Sequence, residues 1–253
     1  MSNIPTALYL QGGPGLNCAV ERIWFGDAYP VLWWDQPRFP ADTENAYQAT
    51  LDAAAGKLAA LFALQDKPIH VIGWSFGARL ALDLAHRTPE AINALTLLAP
   101  TLCLETAIER MASRMALKNH SPTEHRRGDH EEFMQRAMAV LSIPDLFSHY
   151  WAPSSAALFE RHCIEAARTE WFDLPTFTAL SREIINRPNS PLSADHSYKI
   201  CIIAGRLDPY FDPEADPKLW RRLFPEAEIR IVDKGHMIPF EVPARDWLNP
   251  SFI

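Results

Sequence analysis

Six short apolar runs, spaced by stretches of helical periodicity, constrain this chain more than any other feature. "TALYL" (6–10), "VLWW" (31–34), "IHVIG" (69–73), "ALTLLA" (94–99), "KICIIAG" (199–205) and "EIRIVD" (228–233) are each four to seven residues long, and most lack polar alternation. Runs of that kind fit strands buried on both faces, as in a parallel sheet with crossover helices packed on either side. Between the second and third runs, Tyr47, Leu51, Ala54, Leu58 and Leu61 fall close to one helical stripe, with Asp42 or Thr43 as the expected N-cap. Phe76, Leu80 and Leu84 lie four apart ahead of Pro89, which predicts a second helix. Asp212 before Pro213 marks a third, in the N-cap and N1 arrangement. The expected fold class is α/β, with a doubly wound, mostly parallel sheet of about six strands.

The rhythm breaks between residues 102 and 197. That stretch holds no convincing strand but four helical patterns, "TAIERMASRMALKN", "DHEEFMQRAMAVL", "SSAALFERHCIEAARTEW" and "TFTALSREIIN". An unstructured loop of that length is improbable in a compact domain, so an all-helical insertion between the fourth and fifth strands is expected. The chain then divides into a core, 1–101 with 198–253, and a helical lid, 102–197. The lid carries Phe147, Tyr150, Trp151, Phe159, Trp171, Phe172 and Phe177. Most of these are expected to hold the insertion together and dock it on the sheet, with one or two lining a pocket.

Composition narrows the function. The 253 residues carry a formal net charge of −7, and no basic block exceeds the pairs Arg126-Arg127 and Arg221-Arg222, so the electrostatic footprint of a nucleic-acid binder is missing. No apolar run approaches the length of a membrane span, and the N-terminus lacks the pattern of a secretory signal. Cys18, Cys103, Cys163 and Cys201 are widely spaced, which fits buried free thiols in a reducing compartment. A cytoplasmic protein acting on a small molecule is the expectation. There is no HExxH, and "HRRGDHEE" (125–132) reads as a solvent-facing charged loop, so neither metal nor cofactor is expected.

"GWSFGA" (73–78) sits where the third run hands over to a helix. A serine hydroxyl is a weak nucleophile near neutral pH and needs a base within hydrogen-bond reach and a group to orient that base. Glycines at 73 and 77 leave room for a tight strand-to-helix turn that projects Ser75 above the sheet edge. The Phe76 N–H then opens the helix, where a developing negative charge is favoured. A second such donor is expected from "QGGPG" (11–15), at Gly13; the alternatives are an ordinary glycine-rich turn or a phosphate cradle, although "GGPGLN" does not make the dinucleotide fingerprint. For the base, His236 in "DKGHMIP" follows the last run, at the edge where ligands bind in open α/β sheets. His70 and His86 read as structural, and His120, His125, His130, His149 and His162 as solvated or packed. For the orienting acid, Asp208 in "AGRLDPY" follows the fifth run; its rival Asp212 is explained as a cap. Gln11, Trp74, Phe147 and Trp151 are the candidate substrate contacts.

"QGGPG", "GWSFGA", "GRLDPY" and "GHMIPFEVP", in that order, resemble the α/β-hydrolase superfamily with a helical lid, and the resemblance spans nearly the whole chain. Ser75, Asp208, His236 is also the order in which that fold places its triad. "GGPG" with "WDQPR" (34–38) is similar to the proline iminopeptidase branch, whereas "GWSFGA" is similar to the carboxylesterase branch. Gln11 stands where the family usually opens its oxyanion loop with histidine, and Pro37-Arg38 replaces the usual Arg-Gly. The resemblance implies that the family's N-terminal hairpin is missing from this sequence and that the core is trimmed at both ends. A homodimer covering the exposed sheet edge is therefore expected.

Ser75 as nucleophile, His236 as proton shuttle, Asp208 as orienting acid and the Gly13 and Phe76 N–H groups as oxyanion donors make a serine hydrolase the leading expectation. Its substrate would be a small carboxylic ester or thioester, cleaved through an acyl-enzyme. A proline iminopeptidase-like aminopeptidase or amidase would also need Glu105, Glu165, Glu170 or Glu183 facing the pocket to neutralise a substrate amine. The fold equally hosts triad enzymes that perform C–C hydrolysis, lyase or acyl-transfer chemistry, and non-catalytic ligand-binding relatives.

Overall fold

The structure, a computed structural model, describes residues 5–115, 129–185, 187 and 198–248. Each of the six apolar runs forms a strand: β1 (Ala7–Leu10), β2 (Val31–Trp34), β3 (Ile69–Trp74), β4 (Ile92–Leu98), β5 (Lys199–Gly205) and β6 (Glu228–Val232). They pair in parallel throughout, in the order β2-β1-β3-β4-β5-β6. Successive side chains feed two separate cores. Leu8, Leu10, Val71, Leu95, Leu97 and Ile202 pack on one face of the sheet, and Tyr9, Ile72, Trp74, Leu98, Cys201 and Ile203 on the other. Two-sided burial is why these strands read as continuous apolar runs.

The chain enters at β1, steps out to the edge strand β2 and then crosses back to β3 on the other side of β1. Connections leaving β1 and β3 therefore diverge, and a crevice opens at the carboxyl ends of the two strands. Leu10 is in register with Gly73, so the glycine-rich segment after β1 lies beside the turn that follows β3.

Helix α1 (Ala19–Phe25) is too short for its apolar spacing to announce it, and is tied down by Arg22, which donates to the Trp33 carbonyl and to Asp35. Helix α2 (Ala46–Gln65) begins later than the expected caps Asp42 and Thr43, after the left-handed Asn45. Thr43 is held in a turn by the Pro40 carbonyl, and no N-cap side chain serves α2. Its Tyr47 N–H instead donates to Glu183, brought in from far along the chain. Helix α3 (Phe76–Arg87) runs directly behind Ser75.

Between β4 and β5 the insert is helical: α4 (Leu104–Arg114), α5 (His130–Leu141), α6 (Ala156–Ala166) and α7 (Leu174–Ile184), with 3-10 turns at Leu146–Tyr150 and Pro153–Ser155. Asp129 caps α5 and Asp173 caps α7 through side-chain oxygens. Ala179, Leu180 and Ile184 of α7 join the core beneath α2. His120, His125 and residues 125–128 of the charged stretch lie outside the described residues, as does the expected boundary at 197.

Helix α8 (Ala215–Leu223) follows β5 and starts two residues later than Pro213 implies, with Glu214 rather than Asp212 as its N-cap residue; Asp212 still accepts from the Glu214 and Ala215 N–H groups at 2.9 Å just ahead of the helix. Short helices α9 (Ile238–Glu241) and α10 (Arg245–Leu248) complete the described chain. All four cysteines are free thiols, but only Cys18 and Cys201 are buried. Cys103 and Cys163 are exposed, because one precedes α4 and the other sits on the outer side of α6. Among the described residues no helix is long and apolar enough to cross a membrane.

Candidate active site

Ser75 occupies the turn between β3 and α3 with φ +53° and ψ −113°, a conformation that a non-glycine residue adopts only under constraint. Neighbouring strands supply the constraint: its N–H donates to the Leu98 carbonyl, and its own carbonyl accepts from the Thr101 N–H. Gly77 lies so close to the end of β1 that a Cβ there would meet the Leu10 carbonyl oxygen at 2.2 Å. The turn is possible only because that position carries no side chain.

The serine hydroxyl faces an imidazole. Ser75 Oγ lies 2.9 Å from His236 Nε2, and His236 Nδ1 lies 2.7 Å from Asp208 Oδ2. All three residues are buried, Ser75 at 6%, His236 at 5% and Asp208 at 3% exposure, so little water competes for these bonds. The second Asp208 oxygen accepts from the Tyr210 N–H at 2.7 Å. With a carboxylate beside Nδ1, that nitrogen carries the proton and Nε2 accepts from the serine hydroxyl. Thr101 Oγ1 stands 3.2 Å from Ser75 Oγ. Since Ser75 commits its single proton to His236, the Thr101 hydroxyl is the donor in this pair.

Several residues brace this arrangement without any sign of it in the sequence pattern. Arg110 and Arg114, one turn apart on α4, donate to the carbonyls of Tyr210, Asp208 and Phe211 and so grip the loop that carries the acid. Glu241 accepts from the Gly235 and Ala152 N–H groups, both at 2.8 Å, joining the His236 loop to the insert. The His236 N–H donates to the Tyr150 carbonyl, and the Trp74 indole donates to the His236 carbonyl. Only tertiary placement gives these ordinary residue types their partners.

A cavity of about 130 Å³ opens beside Ser75 and His236. That is comparable with the ~150 Å³ apolar cavities that take up benzene. Gly13 and Phe76 both line it, and Gly13 holds a positive φ of 51°. Neither of their N–H groups donates to another group among the described residues. Of the seven insert aromatics named from the sequence, five reach the cavity, namely Phe147, Tyr150, Trp171, Phe172 and Phe177, where one or two were expected. Spacing along a helix marks which side chains are buried but not what they are buried against.

Of the candidate substrate contacts, Trp74 and Phe147 line the cavity and Gln11 and Trp151 do not. Trp151 packs on Phe159, His162 and Phe240. Gln11 is 1% exposed, and its amide has no partner among the described residues. Arg79 also lines the cavity, but its guanidinium is engaged by the carbonyls of Leu102, Ile184 and Arg187.

His236 is the only described histidine within reach of Ser75. His70 bonds to Thr96 inside the sheet, and burial lowers its pKa to about 4. His162 is buried among Trp151, Trp171 and Phe240 and is likewise lowered by burial to about 4. His86 and His149 lie away from the triad on the outer parts of α3 and the insert, and His130 is half-buried at the start of α5. Among the described residues no group of three or more His, Cys, Asp or Glu side chains could hold a metal ion.

A buried serine on a strained strand-to-helix turn thus faces a histidine and an aspartate from later strand ends of a parallel α/β sheet. The chain belongs to the alpha/beta hydrolase fold family, whose model matches residues 35–243. Lipase LipV of Mycobacterium tuberculosis is 29% identical over 203 residues, covering 77% of this chain and 72% of that protein. Among solved structures, a proline iminopeptidase-related protein from Thermus thermophilus superposes with a TM-score of 0.70 at 22% identity, covering 98% of this chain and 88% of that one. A thermophilic esterase from Thermogutta terrifontis gives 0.61 at 19% identity, with coverage of 98% and 88%. At these identities the two structures speak for the fold alone.

Proposed function

We propose that the protein is a serine hydrolase that cleaves a small carboxylic ester or thioester through an acyl-enzyme on Ser75. The observation that carries this reading is the continuous hydrogen-bonded chain from Ser75 Oγ through both imidazole nitrogens of His236 to the carboxylate of Asp208.

In the first half-reaction Ser75 Oγ attacks the carbonyl carbon and its proton passes to His236 Nε2. The imidazolium that forms is stabilised by Asp208, and the developing oxyanion takes the unpaired N–H groups of Gly13 and Phe76. Collapse of the tetrahedral intermediate breaks the bond to the leaving alcohol or thiol, which receives the proton from His236. Water then attacks the acyl-enzyme with His236 as base, and release of the acid restores Ser75.

An ester or thioester is favoured over an aminoacyl substrate because no Asp or Glu side chain lines the cavity among the described residues. Glu183 accepts from the Tyr47 N–H, while Glu165 pairs with Arg168 and Glu170 with Arg38. Glu105 is buried outside the cavity lining. A substrate ammonium would enter an apolar chamber without a counter-charge. The lipase among the similar sequences supports the same choice.

The test is a panel of short-chain carboxylic esters, an acyl thioester and prolyl and alanyl amides. The expected result is turnover of the esters and the thioester, with kcat/KM at least about a hundredfold below theirs for the amides, and loss of activity by several orders of magnitude in Ser75→Ala and His236→Ala. A higher kcat/KM for the aminoacyl amides would contradict the reading.

A further inference from the structure

Within a largely apolar cavity, two phenols meet beside the imidazole. Tyr150 ends the 3-10 turn Leu146–Tyr150 of the insert, and Tyr210 lies in the loop after β5. Their hydroxyl oxygens are 2.6 Å apart, and both residues line the cavity that contains Ser75 and His236. The Tyr210 ring stands nearly perpendicular to the imidazole at 4.9 Å, and the Tyr150 ring lies 5.6 Å from it. Both are anchored through their backbones: Tyr210 by its N–H to Asp208 and its carbonyl to Arg110, Tyr150 by its carbonyl to the His236 N–H. The pair is therefore fixed in position relative to the reacting groups.

Counting protons shows what the pair can do. Two hydroxyls carry two protons, and one proton lies between the two oxygens. The other hydroxyl proton has no acceptor among the described residues. Burial raises both phenols above the ordinary tyrosine range, Tyr150 to about 12, so both remain protonated and act as donors. The hydroxyl that accepts from its neighbour is polarised by that bond and becomes the better donor. Elsewhere Ile108, Val140, Phe147 and Phe177 offer no hydrogen bond, Arg79 is engaged by backbone carbonyls and the Thr101 hydroxyl by Ser75, while the buried indole N–H of Trp171 is a further donor without a partner among the described residues.

We propose that Tyr150 and Tyr210 form a subsite for a hydrogen-bond-accepting oxygen of the substrate. The preferred substrate is then an ester that carries a second oxygen, as ether, ketone or hydroxyl, in place of a methylene of a purely hydrocarbon chain. This rests on the serine hydrolase reading above and adds to it the chemistry that selects among esters.

The experiment compares matched substrates in the wild-type protein, Tyr150→Phe and Tyr210→Phe. A butyl ester is set against a 2-methoxyethyl ester on the alcohol side, and a hexanoyl ester against a 4-methoxybutanoyl ester on the acyl side. Within each pair, comparing the kcat/KM ratio between proteins cancels intrinsic reactivity. The expected result is a preference for the oxygen-bearing member of at least one pair that falls at least about fivefold in both variants. Ratios that stay within about twofold of wild type for both pairs would overturn the proposal, since a merely structural role changes both members alike. The same four esters are titrated into Ser75→Ala protein with and without Tyr210→Phe. Should the wild type cleave no ester, the hydrolase reading fails, while the dissociation-constant ratios still decide for or against the phenol subsite.

Discussion

Thr101 donates to the oxygen that acts as nucleophile in the proposed mechanism, because Ser75 directs its own proton to His236. As Oγ loses that proton and gains charge, the bond from Thr101 strengthens, so removing it acts on acylation. Thr101→Val keeps the side-chain shape and deletes one hydrogen bond worth about 0.5–1.5 kcal/mol, which predicts roughly a three- to tenfold slower acylation burst with a chromogenic ester. A faster burst would show that Thr101 competes with His236 for the serine proton. This donor was not legible in the sequence, whereas Ser75, Asp208 and His236 were, and the difference is physical. Each of the three stands just past an apolar run, and a strand end in an open α/β sheet is itself a positional signal. Thr101, Arg110, Arg114, Glu241 and the phenols of Tyr150 and Tyr210 draw their roles from partners as many as 100 residues away, and no local pattern marks them.

At the level of elements, all six strands were legible: burial on both faces writes β1 to β5 as apolar runs of strand length, and the partly buried edge strand β6 shows as Ile229, Ile231 and Val232 between polar residues. Helices were legible where their own spacing or caps decide them. Asp212 takes up the first N–H groups ahead of α8, although the helix begins later than Pro213 implies and its N-cap residue is Glu214. For α2 the local signal at Asp42 and Thr43 lost to a tertiary one: Glu183 reaches across from α7 to the Tyr47 N–H, so the helix has no need of a capping side chain at its own N-terminus. Helix α1, at seven residues, packs Val20, Trp24 and Phe25 against the core and adds Arg22 contacts to the β2 region, but it is too short for that face to show as a period in the sequence. The insert shows the same limit at a larger size. Its helices follow from spacing, but the turn of five aromatic side chains toward one cavity follows from how those helices sit on the sheet.

Across the whole molecule, stability depends on groups buried against their ordinary charge state. His70 and His162, lowered by burial from 6.5 to about 4, take up protons more readily when unfolded. Their contribution is complete above pH 6.5 and is lost as pH falls toward 4, at about 3 kcal/mol each. Glu21, fully buried with Tyr9 as its hydrogen-bond donor, is raised from 4.5 to about 8. Its contribution is complete below pH 4.5 and is lost as pH rises through 8. Thermal melts should therefore peak near pH 6.5, and Glu21→Gln should flatten the decline between pH 6.5 and 8; an unchanged decline in that variant would contradict the assignment. Folding also assembles the site, since Ser75 and His236 are 161 residues apart and meet only in the native chain. The most direct measurement is therefore fluorophosphonate treatment of the folded protein, with the adduct located by peptide mass spectrometry. The account predicts a single adduct on Ser75, absent in Ser75→Ala and strongly reduced in His236→Ala. No adduct on folded wild-type protein, or one on another residue, would contradict it.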